Sequence, residues 1–311
     1  MTGTGPRLVV VDSVVVDVVL EVDALPERGS DTYVRASSTY AGGGFNVLAA
    51  ASRLGLPGVY AGAFGTGPFA KIAIDALLRE GVEVALSPNL DEDTGFVVAI
   101  VDGSGERTFL TSNGAESRLT TEQLRGVALR NDDVVYFSGY VLLHESNEVA
   151  LLDIVQRLPD TARLIFDPGP LVTAIPDSSL AAVFARADWI SCNAHEAALL
   201  SQLGDARSAA TALNARMARG GAIVRTGGDG CVVATNDGTD VVAGFSVDAI
   251  DSNGAGDCHV GAFMAFTIQG RGYVESARLA NAAAAASVTK RGPATGPTRD
   301  ELEGFLRAHS F

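Results

Sequence analysis

The chain has 311 residues, of which 47% are hydrophobic and 19% are charged, so it is long enough and apolar enough to fold around a buried core. Its net charge of −14, from 37 acidic against 23 basic residues, argues against nucleic acid and anionic membrane surfaces as partners, because both bind clustered positive charge. Three widely spaced cysteines, no recognisable signal peptide and no apolar run of about 20 residues predict a protein of the reducing cytoplasm.

Short runs of β-branched residues alternate along the chain with segments rich in alanine and leucine. The pattern predicts strands at 8–11, 59–64, 134–137, 164–166, 189–192, 223–225 and 231–234. It predicts helices at 46–54, 72–80, 148–158, 180–186, 196–203, 208–218, 256–269, 274–289 and 299–308. This alternation indicates a three-layer α/β/α fold, with a mostly parallel central sheet covered by helices on both faces.

Two regions near the N-terminus interrupt this alternation. Each contains a pair of strand-like segments, 14–22 with 32–37 and 96–101 with 107–111. Together they predict a small antiparallel sheet, formed by about 14–40 and 94–112, that stands off a single domain over 1–311 as a lid. The alternative is that these segments are extra strands at the edge of the main sheet.

The most informative motif runs from Asp251 to Asp257, Asp-Ser-Asn-Gly-Ala-Gly-Asp, and leads into an apolar helix. We expect it to present the backbone amides of Gly254, Ala255 and Gly256 at the positive end of a helix dipole, which suits a phosphate or a developing anion. Asp257, in the first helical turn, could then accept the proton of an attacking hydroxyl. The structural alternative is an aspartate that caps the helix.

Asp-x-x-Gly-Ala-Gly-Asp resembles the C-terminal signature of the ribokinase-like (PfkB) carbohydrate kinases, and further segments from about 8 to 308 match this family in order. The resemblance implies the ribokinase-like fold and an ATP-dependent transfer of phosphate to a hydroxyl, expected to be a primary one, of a sugar or sugar-like molecule. It also implies Asp257 as the catalytic base, with Gly254, Ala255 and Gly256 as the anion hole.

The segment Ala-Gly-Gly-Gly-Phe-Asn at 41–46 matches the glycine-rich N-terminal signature of the same family, with an alanine in place of the usual first glycine. The resemblance implies that Gly42, Gly43 and Asn46 hold substrate hydroxyls. It implies that Asp17 accepts hydrogen bonds from the same hydroxyls. From the residues alone, Asn46 is equally typical of a helix cap.

The resemblance does not point to ribose as the substrate. A ribokinase proper has an Asn, a Lys and a Glu at the positions of Val15, Gly43 and Tyr140. Tyr140 is still implied as a substrate contact, and with Phe45 it could stack on a base, which keeps a nucleoside kinase open as the alternative. Arg107, on the lid hairpin, is implied near substrate or phosphates, although an exposed solubilising charge is an equally good interpretation.

Three further segments match the nucleotide half of the family's site. The implied nucleotide-binding residues are Asn193, Arg225, Gly227, Gly228, Gly230 and Asn281. Glu196, in Asn-x-x-Glu, is implied to organise Mg²⁺ through water, whereas the bare pattern is typical of a capping box. The glycine-rich loop after Arg225 is equally typical of a β-turn. Asp251 is implied as a candidate ligand of a monovalent cation such as K⁺.

Two other functional classes compete with the kinase. The segment Gly65-Thr-Gly67-Pro-Phe-Ala70 satisfies Gly-x-Gly-x-x-Ala, which could bind the dinucleotide of an NAD(P)-dependent oxidoreductase, but Glu80 stands at a helix end rather than closing a strand. The other rival is a catalytically silent sugar-binding homologue. In the kinase hypothesis the partner is a small sugar or nucleoside, and the exposed lid strands would allow a homodimer.

Overall fold

The structure, a computed structural model, describes residues 5–309. The predicted domain of 1–311 includes 1–4 and 310–311, which lie outside the described residues. The strands are β1 (Leu8–Val10), β2 (Val14–Glu21), β3 (Ala36–Gly43), β4 (Gly58–Tyr60), β5 (Glu83–Val84), β6 (Phe96–Val101), β7 (Arg107–Ser112), β8 (Val134–Ser138), β9 (Arg163–Asp167), β10 (Trp189–Asn193), β11 (Gly221–Arg225), β12 (Gly230–Thr235) and β13 (Gly238–Ala243).

The α-helices follow the strands in alternation over most of the chain. They are α1 (Gly44–Arg53), α2 (Pro68–Arg79), α3 (Thr121–Arg125), α4 (Glu145–Arg157), α5 (Asp177–Arg186), α6 (Ala194–Ser201), α7 (Ala206–Asn214), α8 (Ala255–Ile268), α9 (Tyr273–Val288) and α10 (Arg299–Ala308). Within residues 5–309, no helix combines the length and the apolar character that a membrane crossing requires.

The central sheet has nine strands in the order β13-β12-β11-β10-β9-β8-β1-β4-β5. The pairs from β11 to β5 are parallel, whereas β12 and β13 are added antiparallel at one edge. The prediction of a mostly parallel sheet is therefore confirmed. In such a sheet the strands point the same way, so their carboxyl ends meet at one edge.

Alternating residues of the buried strands face two different helical layers. In β1, Leu8 and Val10 belong to an apolar cluster with α1, α2, α8 and α9, while Val9 belongs to a second cluster with α4, α5 and α7. Side chains of a strand point alternately to its two faces, so a β1 that is apolar throughout must be covered on both. The predicted three-layer α/β/α fold is confirmed.

A separate four-stranded sheet has the order β3-β2-β6-β7. The pairs β2–β3 and β6–β7 are antiparallel, as predicted, but β2 and β6 pair in parallel, with Val16 opposite Phe96. The prediction of a wholly antiparallel sheet is therefore wrong at its centre, because β2 and β6 belong to different hairpins that both start at the body of the protein. The alternative of extra strands at the edge of the main sheet is also wrong.

The strand β3 lies further along the chain than the predicted 32–37. It spans Ala36–Gly43, because ladder hydrogen bonds need only backbone and the glycines continue the pairing, with Gly42 opposite Val15 and Gly43 opposite Val14. At Gly43 a positive φ of 63° turns the chain directly into α1. The glycine-rich segment that begins at Ala41 thus forms the end of a strand.

Two adjacent leucines of α2 test the layered core. Leu77 is fully buried, whereas Leu78 is 58% exposed. We expect Leu77→Ala to lower the free energy of unfolding by about 2–5 kcal/mol, because it opens a cavity, and Leu78→Ala to change it by less than about 0.5 kcal/mol. Urea denaturation with an unchanged m-value measures both. Equal losses in the two variants would contradict the assignment of the buried face of α2.

Candidate active site

Two helices begin next to each other at the carboxyl edge of the central sheet. Asp257 lies in the first turn of α8, and its Oδ2 accepts a 2.9 Å hydrogen bond from Nδ2 of Asn46, in the first turn of α1. Burial raises the pKa of Asp257 to about 6, with the Asn46 hydrogen bond lowering it and the charge of nearby Asp167 raising it. The carboxylate is thus more basic than an exposed aspartate and still largely ionised at neutral pH.

The turn before α8 can be made only with glycine at position 254. Gly254 has φ of 73°, and a Cβ there would lie 2.0 Å from the carbonyl oxygen of Pro293. The first helical residues are Ala255 and Gly256, and no side chain caps this end of the helix within the described chain. Asp257 is therefore not a helix cap. The backbone N–H of Ala255 donates to the carbonyl oxygen of Ser252 at 3.3 Å, so within the described chain the amides of Gly254 and Gly256 are the ones open to an anion.

The start of α1 also lacks a side-chain cap: Gly43 is the N-cap residue, and no side chain bonds to the first amides of the helix in the described chain. The alternative of Asn46 as a helix cap is wrong, since its amide group donates to Asp257 instead. A Cβ on Gly43 would lie 2.3 Å from the carbonyl oxygen of Ser13. The glycine there permits this close approach of two backbone segments.

Asp17 projects from β2 towards the backbone of β3. A Cβ on Gly42 would lie 2.5 Å from Oδ2 of Asp17, so the glycine leaves the room that the carboxylate fills. Burial raises the pKa of Asp17 to about 6, and within residues 5–309 no donor binds its carboxylate. A half-buried carboxylate without an internal donor is suited to accept hydrogen bonds from hydroxyl groups.

Arg225 connects the glycine turn at 254–256 with the predicted nucleotide loop. Its Nη1 donates to Oδ2 of Asp167 at 3.0 Å and to Oγ of Ser191 at 2.7 Å, and its Nη2 lies 3.9 Å from Oε2 of Glu196. The side chain is only 14% exposed, and its guanidinium lies 3.5 Å from the position of a Cβ on Gly256. The arginine therefore puts a fixed positive charge beneath the turn that the sequence predicts to bind an anion.

The capping-box interpretation of Asn193 and Glu196 is confirmed. Oδ1 of Asn193 accepts from the backbone N–H of Glu196, while Oε2 and Oε1 of Glu196 accept from the backbone and side-chain N–H groups of Asn193 at 2.9 and 2.8 Å. Glu196 is 3% exposed, and burial raises its pKa. Both carboxylate oxygens are thus already engaged locally.

The glycine-rich loop after Arg225 forms a 3₁₀ turn at Gly227–Asp229, which confirms a turn between two strands. A Cβ on Gly227 or Gly228 would meet open space, whereas one on Gly230 would lie 2.1 Å from the carbonyl oxygen of Val242. Gly230 is therefore needed for packing, and the other two glycines line an open surface.

Asn281 lies inside the protein rather than on the loop. Its Nδ2 donates to the carbonyl oxygens of Val242 and Ala243, both at 3.1 Å, and its Oδ1 lies 3.1 Å from Nε2 of His259. These contacts engage both ends of the amide. The hydrogen bonds to Val242 and Ala243 fix the end of β13. Direct contact of Asn281 with a nucleotide stays a prediction.

The small sheet is tied to the turn that precedes α8. Nη2 of Arg107, at the start of β7, donates to Oδ1 of Asp251 at 2.8 Å, so Arg107 is more than an exposed solubilising charge. The carboxylate also accepts from the backbone N–H of Asn253 at 3.0 Å and of Gly292 at 3.1 Å. Burial acts to raise the pKa of Asp251, but these hydrogen bonds outweigh it and hold the pKa below its ordinary value.

The two aromatic residues singled out from the sequence differ in exposure. Tyr140 is 48% exposed, and burial of part of its ring raises its pKa, together with the nearby charge of Asp257. Phe45 is 7% exposed and packs in the apolar core. Only Tyr140 presents an exposed ring, and stacking of both rings on one base stays a prediction.

Sequence reasoning missed four polar residues of this edge. Asp12 follows β1 and accepts from the backbone N–H and Oγ of Ser138, both at 3.0 Å, and burial raises the pKa of Asp12 to about 7. Asp167 and Ser191 bind Arg225. A signal for three of them was available, because each directly follows a predicted strand: Asp12, Ser138 and Asp167. In a parallel sheet such positions meet at one edge, where a site is expected.

The dinucleotide motif at 65–70 is occupied by the protein itself. Oδ2 and Oδ1 of Asp93 accept from the backbone N–H groups of Phe69 and Ala70 at 3.1 and 2.8 Å. A carboxylate thus already binds the amides that a dinucleotide's pyrophosphate would need.

Comparison with known proteins identifies relatives over nearly the whole chain. The family model described as pfkB family carbohydrate kinase matches residues 6–300. The uncharacterised sugar kinase YegV of Escherichia coli K12 is 32% identical over 310 residues, covering 98% of this chain and 95% of the relative.

Two solved structures show the same fold. A ribokinase of Arabidopsis thaliana, solved with ribose and ATP, superposes with a TM-score of 0.79 at 22% identity, covering 98% of this chain and 99% of the other. Aminoimidazole riboside kinase of Salmonella enterica, solved with its riboside and an ATP analogue, gives a TM-score of 0.80 at 24% identity, covering 96% and 100%.

The contact between Asn46 and Asp257 yields a prediction that is independent of turnover. Asn46→Leu removes the donor that stabilises the ionised carboxylate, so we expect the pKa of Asp257 to rise above its value of about 6. Carboxyl ¹³C NMR titration, assigned with Asp257→Asn, measures it. Asn253→Ala, in the adjoining turn, is the control and should leave the value unchanged. A pKa that stays or falls in Asn46→Leu would disprove the role of the hydrogen bond.

Proposed function

The chain belongs to the pfkB family of carbohydrate kinases, and we propose that it performs phosphoryl transfer with Asp257 as the base. It is an ATP-dependent phosphotransferase acting on a hydroxyl of a sugar or sugar-like molecule, which rules out the oxidoreductase alternative. The observation that carries the proposal is the bond between Asn46 and Asp257, which joins the acceptor half of the site to the anion-binding turn.

The acceptor half consists of Asp17, Gly42, Gly43 and Asn46. The carboxylate of Asp17 has no donor among the described residues, which supports its role as an acceptor for substrate hydroxyls. The backbone amide of Gly43 and the remaining acceptor of Asn46, whose Oδ1 is buried without a partner in residues 5–309, would orient further hydroxyls, while Gly42 leaves room beside Asp17. Arg107 and Tyr140 would close this half from the small sheet and from the loop after β8.

The reacting hydroxyl would lie between Asp257 and the γ-phosphorus of ATP. Its proton passes to a carboxylate oxygen of Asp257 as the hydroxyl oxygen bonds to phosphorus. The bond from phosphorus to the bridging oxygen breaks in line, and ADP leaves. The uncapped amides of Gly254 and Gly256 and the guanidinium of Arg225 would stabilise the charge on the transferred group, and Ala255 would contribute if its amide left the carbonyl oxygen of Ser252.

The nucleotide half would use Arg225 with the open turn at Gly227 and Gly228, and Asn193 and Asn281 would shape its wall. No group of three or more metal-binding side chains occurs in residues 5–309, so Mg²⁺ would take most of its ligands from phosphate oxygens and water. Glu196 would reach the ion only through water, because both of its oxygens already accept hydrogen bonds from Asn193. Mg²⁺ supplies charge neutralisation on the phosphates.

Three further proposals concern cations, assembly and compartment. A monovalent cation at Asp251 fits less well, because three donors already engage that carboxylate.

The exposed Phe109 and Leu110 of β7 support a homodimer through the small sheet, which would act as the lid. Three unpaired cysteines support a reducing cytoplasm as the compartment.

The acceptor is a sugar in our proposal, and a nucleoside kinase is the second candidate. The exposed ring of Tyr140 favours the latter, since an aromatic surface at the edge of the site could stack on a base. The low exposure of Phe45, the other candidate stacking surface, weakens it.

The first test is acceptor-dependent release of ADP from MgATP across sugars, sugar acids and nucleosides. We expect turnover with a subset of acceptors, reduced about 10²–10⁴-fold by Asp257→Asn, because the proton acceptor is lost while nucleotide binding is retained. Asp237→Asn, on an exposed hairpin turn, is the matched control and should retain full activity. Near-normal turnover of Asp257→Asn would rule out the base, and ATP binding without turnover on any acceptor would favour the silent homologue.

The pH dependence follows from the raised pKa of Asp257. The base must be ionised, so kcat/KM should rise about tenfold per pH unit below a midpoint near pH 6 and level off above it. Asp17 also has a pKa of about 6, so Asp17→Asn is the necessary comparison. This variant should raise KM for the acceptor and keep the acidic limb. If the limb disappears in Asp17→Asn, Asp17 rather than Asp257 is the titrating group.

A further inference from the structure

A second cavity, of about 270 Å³, opens between α1, α2, the end of β3 and the turn at 291–295. Its lining includes Tyr40, which pairs with Asp17 across the small sheet, but Asp17 and Asn46 of the acceptor half do not line it. Nothing in the proposed kinase mechanism uses its lining residues. Its volume suits a small metabolite and is too small for a drug-sized ligand.

Arginines from three separate segments line this cavity: Arg53 of α1, Arg79 of α2 and Arg291 of the following turn. The carboxylate in its lining is Glu80, which is bound in a bidentate pair by Arg53. The guanidinium groups of Arg79 and Arg291 therefore have no carboxylate partner within the lining. In a chain with a net charge of −14, this concentration of positive charge in one concavity is a specific feature.

The two excess arginines are available for a ligand. No ion pair or hydrogen bond engages the side chain of Arg79 in the described chain. Arg291 has a long contact of 3.5 Å to Glu21, and both side chains are largely in solvent at 77% and 41% exposure. Such a surface ion pair contributes little to stability, so a bound anion could replace Glu21 as the partner of Arg291 at a small cost in free energy.

Arg53 has a different task in the same wall. Its Nη1 donates to the carbonyl oxygens of Ala294 and Gly296 at 2.8 and 2.9 Å, which fixes the turn that carries Arg291. The cavity is therefore built around the Arg53–Glu80 ion pair. Arg53 positions the turn, Arg79 is unengaged among the described residues, and Arg291 has only its exposed pair with Glu21.

The chemistry of the lining favours a phosphate group with a small organic body. Arginines that approach from different chain segments can each meet a separate oxygen of a tetrahedral phosphate, whereas a planar carboxylate is satisfied by a single arginine fork. Tyr40, Phe45 and Ile72 supply aromatic and aliphatic surface beside the charge. We propose that this cavity is a second site, which binds a small phosphorylated metabolite outside the catalytic centre.

The test is isothermal titration of the full chain with inorganic phosphate and with ribose 5-phosphate, in saturating Mg²⁺ and a non-hydrolysable ATP analogue. The analogue fills the anion-binding turn of the active site, so that turn cannot account for the heat. Arg79→Ala and Arg291→Ala remove the excess charge from the exposed rim, and circular dichroism verifies that both variants fold. Arg278→Ala, an exposed helical arginine outside the cavity, is the matched control.

We expect saturable binding at one site, with Kd at least about tenfold weaker in Arg79→Ala and in Arg291→Ala and within about twofold in Arg278→Ala. Absence of saturable binding to the loaded wild type would overturn the proposal. So would equal affinity of wild type and the two cavity variants, or an equal loss in Arg278→Ala, which indicates diffuse attraction. The readout involves no turnover, so a failure of the kinase mechanism leaves this result independent.

Discussion

The close contact between α1 and α8 is the constraint on which the site depends. At Gly261 of α8, a Cβ would lie 2.6 Å from the carbonyl oxygen of Val47 and 2.9 Å from Cβ of Ala50, so small residues let the two helices approach. Only this approach allows Asn46 to reach Asp257 with a 2.9 Å hydrogen bond. The two glycine turns, more than two hundred residues apart, are thereby held at one place without any direct chain connection.

The electrostatics of the site follow from that geometry. Burial raises the pKa values of Asp12, Asp17 and Asp257, because each carboxylate is largely removed from water. Arg225 is the buried cation that balances this group, through Asp167 and Glu196. In the proposed mechanism, Asp257 is the proton acceptor, and the positive charge of Arg225 lies beneath the glycine turn, so the two functions are separated in space.

Much of this could be predicted from the sequence, for local reasons. Strand and helix alternation gave the layers, and the motif at 251–257 identified Asp257, because backbone turn, helix start and carboxylate lie within seven residues. The features that could not be predicted depend on contacts between residues far apart in the chain. Arg225 and Asp167 are 58 residues apart in the chain, and the parallel pairing of β2 with β6 joins two hairpins. Asn281 could be matched to a motif, but its interior contacts to β13 could not be foreseen.

The junction between β3 and α1 also bears on how such a chain can diverge. The strand ends at Gly43 and the helix begins at Gly44, so the residues proposed to bind the acceptor occupy a connection with no spare length. An inserted residue would displace them. The segment 22–35, which joins β2 to β3 at the far end of the same hairpin, is almost wholly exposed and carries none of these contacts. Insertions and deletions are therefore tolerated at the outer end of the hairpin and excluded at the inner one. New acceptor preferences can arise by lengthening or shortening the periphery while the catalytic geometry is inherited unchanged.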